Sequence, residues 1–420
     1  MSLALGLALL LAAGGPGDPD VHAAFAEALA GLEAGVGARE LDERAGKLAL
    51  LPGASAEWLA VESAEGDPLA GAQVDLLDRI ASKLPREAVI DSVRDSQAAN
   101  GSVAWRGAAL KLLGRHASAE DVPLLVDLLR TDEGRLAVEG PLADAFESTL
   151  AEIARRDLRI AARMPWFAEN APALRPALVR ALGSSGDPEA LPALSAALQD
   201  RDLALLAIRQ IARLAGKAPP ELRGELSTRV RPFLVWADEA TRRHAMRALV
   251  ALEDESSVPE LLKLVEADAT VRHDAEYEAL RGLTGRNLPA EAARWRSWYD
   301  SERRWLEQDA SAAIGRLVSD EPGRVVAAIR EIADHGLERG RLAEALSRVL
   351  REHASAAVRN QACLGLAKLR SRAGLEALTL ALSDADPVVA GNALSALRTI
   401  SGLSLPLNAK AWHDALRTGS

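Results

Sequence analysis

The sequence contains a copy of part of itself. Aligning Arg242 with Arg359 sets an offset of 359 − 242 = 117 residues, which holds without a gap from Thr241 to at least Trp295. Under it Ala245 meets Ala362, Leu249 meets Leu366, Leu252 meets Leu369, Leu261 meets Leu378 and Val271 meets Val388. The match then tightens: Ala279-Leu280-Arg281 meets Ala396-Leu397-Arg398, Gly285 meets Gly402, Leu288-Pro289 meets Leu405-Pro406, and Trp295 meets Trp412. Chance does not keep register over such a span. A duplicated unit restricts the chain to architectures in which one module is laid beside another.

A shorter period lies inside each copy. Val358, Ala362, Leu366 and Leu369 recur as Val389, Ala393, Leu397 and Ile400, an offset of 389 − 358 = 31 residues. Both sets have the i, i+4, i+8, i+11 spacing of one helical face. Between them Leu375, Leu378, Leu380 and Leu382 populate an intervening helix, so the pattern reads helix, turn, helix, turn. Asp386-Pro387 and Asp187-Pro188 mark helix starts, since Asp caps the first unpaired N–H groups and Pro fits a first turn. Upstream, Ala190, Leu191, Leu194 and Leu198 form one helix and Leu203, Leu206, Ile208, Ile211 and Leu214 the next. A further pair spans Trp105 to Leu129.

Composition agrees. The 420-residue chain exceeds one ordinary compact domain, its aromatics amount to 3%, and β-branched residues never form the alternating runs of half-buried strands. The expected fold class is all-α: an α-solenoid, a superhelix of stacked antiparallel helix pairs. Residues 16–100 are helical by pattern, as in Val74, Leu77, Ile80 and Ala81, but do not fit the repeat and read as an irregular N-terminal region. The polar stretch Asp95 to Ser102 reads as a boundary. Repeats then occupy 101–236, a module with a tryptophan-bearing helix 237–307, and its duplicate 308–420.

Residues 1–15 read as a signal peptide: Leu3 to Ala13 is an uncharged apolar run of h-region length, too short to span a bilayer, followed by Pro16-Gly17-Asp18-Pro19. No Lys or Arg precedes the run. The expectation is an extracytoplasmic protein without an integral membrane segment in the mature chain, with a cytoplasmic location as the alternative.

Segments such as Leu378 to Ile400, LTLALSDADPVVAGNALSALRTI, and Leu194 to Leu214, LSAALQDRDLALLAIRQIARL, resemble the HEAT-repeat family, in particular the short HEAT-like repeats of phycobilisome-linker lyases, and the motif around Trp295 resembles one in bacterial secreted members. The resemblance covers about Gly101 to Leu416. The family's Arg after the helix-start Val is present in Val271-Arg272 and Val358-Arg359 and absent after Val388. The resemblance implies a scaffold that recognises proteins on an extended helical surface.

The most distinctive local motif is LTGRNLPAEAARWRSWYD from Leu283, matched by ISGLSLPLNAKAWHDAL from Ile400. Gly285 and Gly402 fall where a helix needs a left-handed terminating residue, and Pro289 and Pro406 are expected to start the next helix. Trp295 and Trp412 are expected to lock that helix by packing. Trp298, Tyr299 and Trp305, interleaved with Arg294, Arg296, Arg303 and Arg304, have the mixture of an interface hot spot or of a surface that stacks on sugars and bases. Ala415 and Leu416 replace Trp298 and Tyr299 in the second copy, so Trp298, Trp305, Arg303 and Arg304 are the expected partner-binding residues.

Catalytic chemistry finds little support. The seven histidines, His22, His116, His244, His273, His335, His353 and His413, are scattered without metal-ligand spacing. Deoxyhypusine hydroxylase, a metalloenzyme family built on HEAT repeats, uses repeated His-Glu pairs; His273-Asp274 and His413-Asp414 only approximate them. Cys363, whose counterpart is Met246, reads as a buried thiol. Phosphate-binding loops, dinucleotide fingerprints and serine-hydrolase elbows are missing from the sequence. The expectation is therefore a non-enzymatic, cofactor-free scaffold for protein partners. Net charge of −10 argues against nucleic acid. The alternatives are an enzymatic, lyase-like HEAT protein with a pocket assembled from distant residues, and a HEAT-type nucleic-acid binder with an arginine-lined inner face.

Overall fold

The computed structural model describes residues 18–30, 32, 36–64, 71–97, 102–130, 135–236, 238–267 and 273–418. The apolar N-terminal run and the pair Val271-Arg272 lie outside these residues. Among the described residues the secondary structure is helical, apart from one isolated bridge between Arg130 and Leu136. The fold is all-α, built of helix pairs stacked in tandem, the α-solenoid class. No helix among these residues is long and apolar enough to cross a membrane. The chain divides into two compact units, residues 1–194 and 195–420.

The first unit holds α1 (Pro19–Ala30), α2 (Ala38–Ala49), α3 (Ala54–Glu62), α4 (Gly71–Lys83), α5 (Arg86–Gln97), α6 (Val103–His116), α7 (Val122–Asp127), α8 (Pro141–Arg156), α9 (Met164–Asn170) and α10 (Arg175–Ser184). Helices α6, α8 and α10 pack side by side, as do α2 and α4. Helix α6 also packs on α3, α4 and α5, and residues 98–101 of the polar stretch before Ser102 lie outside the described residues. The inward face of α4 is Gln73, Leu76, Leu77, Ile80 and Ala81, whereas Val74 points outward. Trp58 is fully buried and its indole N–H donates to the Leu77 carbonyl at 2.9 Å, which satisfies the one polar atom that burial would otherwise leave unpaired.

Helix α11 (Leu191–Ala197) carries the chain across the division. The second unit continues with α12 (Ala204–Leu214), α13 (Pro220–Val230), α14 (Glu239–Ala251), α15 (Val258–Ala267), α16 (Asp274–Thr284), α17 (Ala292–Gln308), α18 (Ala310–Gly315), α19 (Pro322–Ala333), α20 (Arg339–Glu352), α21 (Ala356–Leu369), α22 (Leu375–Ala381), α23 (Pro387–Ser401) and α24 (Ala409–Thr418). Helices α12, α14 and α16 form one row of neighbours; α19, α21 and α23 form another. The residues with helical spacing are the buried ones: Val358, Ala362, Leu366 and Leu369 on α21, and Val389, Ala393 and Leu397 on α23. Asp386 caps α23 by accepting the Val388 N–H at 2.8 Å. Leu380 departs from the expected pattern, pointing outward with 59% of its surface exposed.

The two copies share backbone devices as well as apolar residues. Arg242 donates to the Trp236 carbonyl at 2.8 Å, and its counterpart Arg359 to that of His353 at 3.0 Å. Glu253 and Arg370, also counterparts, both adopt left-handed backbone, with φ of 57° and 53°.

Candidate functional site

The duplicated tryptophan motif has one geometry in both copies. Gly285 and Gly402 end their helices with φ of 68° and 74°, and their N–H groups reach the Arg281 and Arg398 carbonyls. The side chains of the same two arginines run forward: Arg281 donates to the Leu288 carbonyl at 3.2 Å and Arg398 to that of Leu405 at 3.0 Å. Trp295 and Trp412 are fully buried, and each indole N–H donates at 2.9 Å to a proline carbonyl, Pro289 or Pro406. The prolines do not begin the next helix as the sequence suggested. Helices α17 and α24 start three residues later, because each proline carbonyl is already engaged by Glu291 or Asn408 at 2.8 Å and by the indole.

The expected partner-binding set is divided by α17. Trp298 is half-buried and packs edge-on against Trp295, ring centroids 5.6 Å apart. Trp305, also half-buried, stacks on His335 at 3.4 Å with an interplanar angle of 11° and joins the core beneath it. Between them on the same face, buried Glu302 accepts the Gly336 N–H at 2.9 Å. Arg303 and Arg304 lie on the opposite, exposed face, where Arg303 pairs with Glu307 at 2.7 Å. Positions 298, 302 and 305 return to one side of a 3.6-residue helix, while 303 and 304 fall about 100–200° away. The rings therefore pack inward, and the arginines do not share their surface.

A different concavity brings cations together. Arg281, Gly285, Arg286 and Asn287 at the end of α16, Ala367, Lys368 and Arg370 at the end of α21, and Thr399 on α23 line an open cavity of about 580 Å³. Four of these side chains are cationic and none is a carboxylate. The neighbouring acid is Asp334, which pairs with Lys368, while its backbone carbonyl accepts from Arg286. The Arg286 Nε is buried without a hydrogen-bond partner among the described residues. Arg370 is exposed, and among the described residues its side chain makes no hydrogen bond. The lining differs from the apolar walls of an ordinary small-molecule pocket and suits a charged group that remains partly in water.

This cluster escaped the sequence reading because its members stand up to 118 residues apart and converge only when the helix ends meet. One signal was present. Under the 117-residue offset Arg286 meets Leu403, Lys368 meets Ala251 and Arg370 meets Glu253, so three of the four cations have no cationic counterpart.

Cys363 is fully buried beside the Val389 carbonyl, and burial pushes its thiol up to about 12. It is neither nucleophile nor metal ligand in that state. Among the described residues, groups of three or more His, Cys, Asp or Glu side chains suited to a metal ion do not occur.

The model of the PBS lyase HEAT-like repeat family matches residues 174–200 and 241–267. The first stretch contains α10 and α11, the second α14 and α15, so these helix pairs are HEAT-like repeats. No curated protein matches the chain. Solved structures similar to it include an engineered protein, at 17% identity over 90% of this chain and 98% of that one, with a TM-score of 0.30. Others are Kap121p bound to Pho4p, at 13% identity over 90% of this chain and 45% of that one, TM-score 0.36, and the karyopherin Kap121p bound to the extreme C-terminus of the protein phosphatase Cdc14p, at 13% identity over 98% and 51%, TM-score 0.34. The chain thus spans about half the length of the Kap121p chains.

Proposed function

We propose that this chain is a non-catalytic scaffold that holds a protein partner on the second unit. Tandem helix pairs bury one face of each helix against the next pair and present their ends and outer faces to solvent, and such surfaces recognise proteins by many weak contacts. The observation that carries this reading is the concavity formed by the ends of α16 and α21 with α23: helices distant in sequence present convergent polar side chains around one open space. The groups with the strongest claim to chemistry are engaged otherwise. Cys363 is buried with a raised thiol, and Glu302 is held by the Gly336 N–H.

The test is isolation of the full chain from its source after mild cross-linking, followed by titration of each purified co-isolated protein back onto the chain by calorimetry. Saturable rebinding at fixed stoichiometry is expected. A chain that rebinds none of them, or that turns over a small molecule during the same titrations, overturns the reading.

A further inference from the structure

We infer that the concavity between the ends of α16, α21 and α23 is a binding site for a carboxylate-rich peptide segment. The inference rests on the scaffold reading and specifies the chemistry of its partner. Arg281, Arg286, Lys368 and Arg370 face one cavity of about 580 Å³ whose lining holds no carboxylate, and Asp334 beside it pairs with Lys368. Cations gathered this closely repel one another and are costly to hold together unless an anion joins them.

The repeat shows that the fold does not require them. Glu253 holds the same left-handed helix-terminating backbone as Arg370 while carrying the opposite charge, Ala251 occupies the place of Lys368, and Leu403 that of Arg286. Arg370 keeps a left-handed conformation that disfavours a non-glycine residue, and its guanidinium is exposed at the cavity without a partner among the described residues. By contrast Arg281, the one cation of the cavity whose counterpart, Arg398, is also cationic, braces the following turn, as Arg398 does in the second copy.

Guanidinium groups present paired N–H donors that match the two oxygens of a carboxylate, and an ammonium adds a point charge beside them. Asn287 lines the same cavity as a neutral donor and acceptor, and Thr399, whose hydroxyl already donates to the Ser395 carbonyl, adds an acceptor, a pairing suited to a peptide backbone. The four cations line one cavity in a chain of net charge −10, whereas nucleic acid requires a basic surface that follows a phosphate backbone. An acidic loop or tail of a protein partner fits these conditions.

The experiment titrates fluorescein-labelled hexaglutamate with the full chain, following fluorescence polarisation at two salt concentrations. Hexaglutamine and a labelled thymidine hexanucleotide serve as comparisons. Two double variants are compared: Lys368→Glu with Arg370→Glu, and Arg303→Glu with Arg304→Glu. All four side chains are exposed, and circular dichroism verifies that both variants fold. Expected are one saturable, salt-sensitive site for hexaglutamate, loss of at least tenfold in affinity in the first variant, no change in the second, and no binding of hexaglutamine. Absence of hexaglutamate binding, equal losses in both variants, or tighter binding of the oligonucleotide overturns the inference. A chain that fails here but rebinds its purified partner keeps the scaffold reading and loses only this site; failure of both experiments removes both.

Discussion

The guanidinium of Arg339 lies buried 3.0 Å from the carboxylate of Glu255, although the two residues are 84 positions apart. Glu255 begins the short turn after α14 and Arg339 is the first residue of α20, so the pair ties a helix of the first copy to a helix beyond it. Arg339 makes further bonds at this junction. Its backbone N–H also reaches Glu255 at 3.1 Å, and its Nη1 donates to the Leu369 carbonyl at 3.2 Å. Helix ends from three pairs are thereby held together beside the cationic cavity.

Removing one side of this pair leaves the other buried without a countercharge. Arg339→Ala is expected to destabilise the second unit by about 3–5 kcal/mol, measured by urea unfolding at neutral pH. Burial pushes the Glu255 carboxyl above its ordinary range, and Arg339 opposes that rise. A carboxyl raised in the folded state favours folding most when protonated, so its contribution is full below the unfolded value and fades as pH climbs through the folded one. Without Arg339 the carboxyl rises further, so the variant's deficit should shrink on acidification toward pH 4. A deficit that grows on acidification contradicts this assignment.

Most of the helices were legible in the sequence because burial imposes a period on it: Val358, Ala362, Leu366 and Leu369 need no tertiary information to be placed on one face. The duplicated Gly285 and Gly402 were legible for a local reason as well, since a left-handed terminus favours glycine. Trp298 and Trp305 were harder. Aromatic rings beside arginines fit either an interface or a core, and the packing partners of these rings at His335 and Gly336 come 30 or more residues later in the chain. The cations of the cavity were not legible at all, because Arg286 and Arg370 come together through α20 and the Arg339 junction rather than through helical spacing.

Arg359 clamps Asp384 with two hydrogen bonds of 2.7 and 2.8 Å. Hydrogen bonding from Arg359 holds the Asp384 carboxyl below the usual carboxylate range. A carboxyl depressed in the folded state stabilises above its unfolded value near 3.9 and loses that contribution as pH falls through the folded value. Asp384→Asn is expected to cost about 1–3 kcal/mol at pH 7, and wild type and variant should approach one another as pH falls below the unfolded value and through the folded one. Parallel stability curves from pH 7 to pH 2 count against this account.

Cys363 offers a probe of the same region. With its thiol pushed up to about 12 and its side chain fully buried, it should resist alkylation by iodoacetamide at pH 8 in the native chain and react once urea unfolds the second unit. Mass spectrometry of the modified peptide gives the readout. Rapid native labelling at a rate independent of denaturant shows that the thiol is accessible in the fold.

Two glycines of the second unit should respond in opposite directions to the same added methyl group. Gly336 follows α19, and a Cβ there would stand 2.7 Å from the Thr284 carbonyl oxygen, 2.9 Å from the Arg286 Nε and 3.0 Å from the Trp298 ring. A backbone carbonyl has little room to yield, so Gly336→Ala is expected to destabilise by about 1–3 kcal/mol. It should also disturb Trp298 and Trp305, shifting the intrinsic fluorescence of the folded state. Gly391 lies within α23, exposed, with no atom within 4 Å of an added Cβ. There alanine only lowers the conformational entropy of the unfolded chain, and Gly391→Ala should stabilise by about 0.5–1 kcal/mol. Urea unfolding of both variants distinguishes the two environments; equal and neutral effects mean that the close packing of Gly336 against Thr284 and Trp298 does not exist in solution.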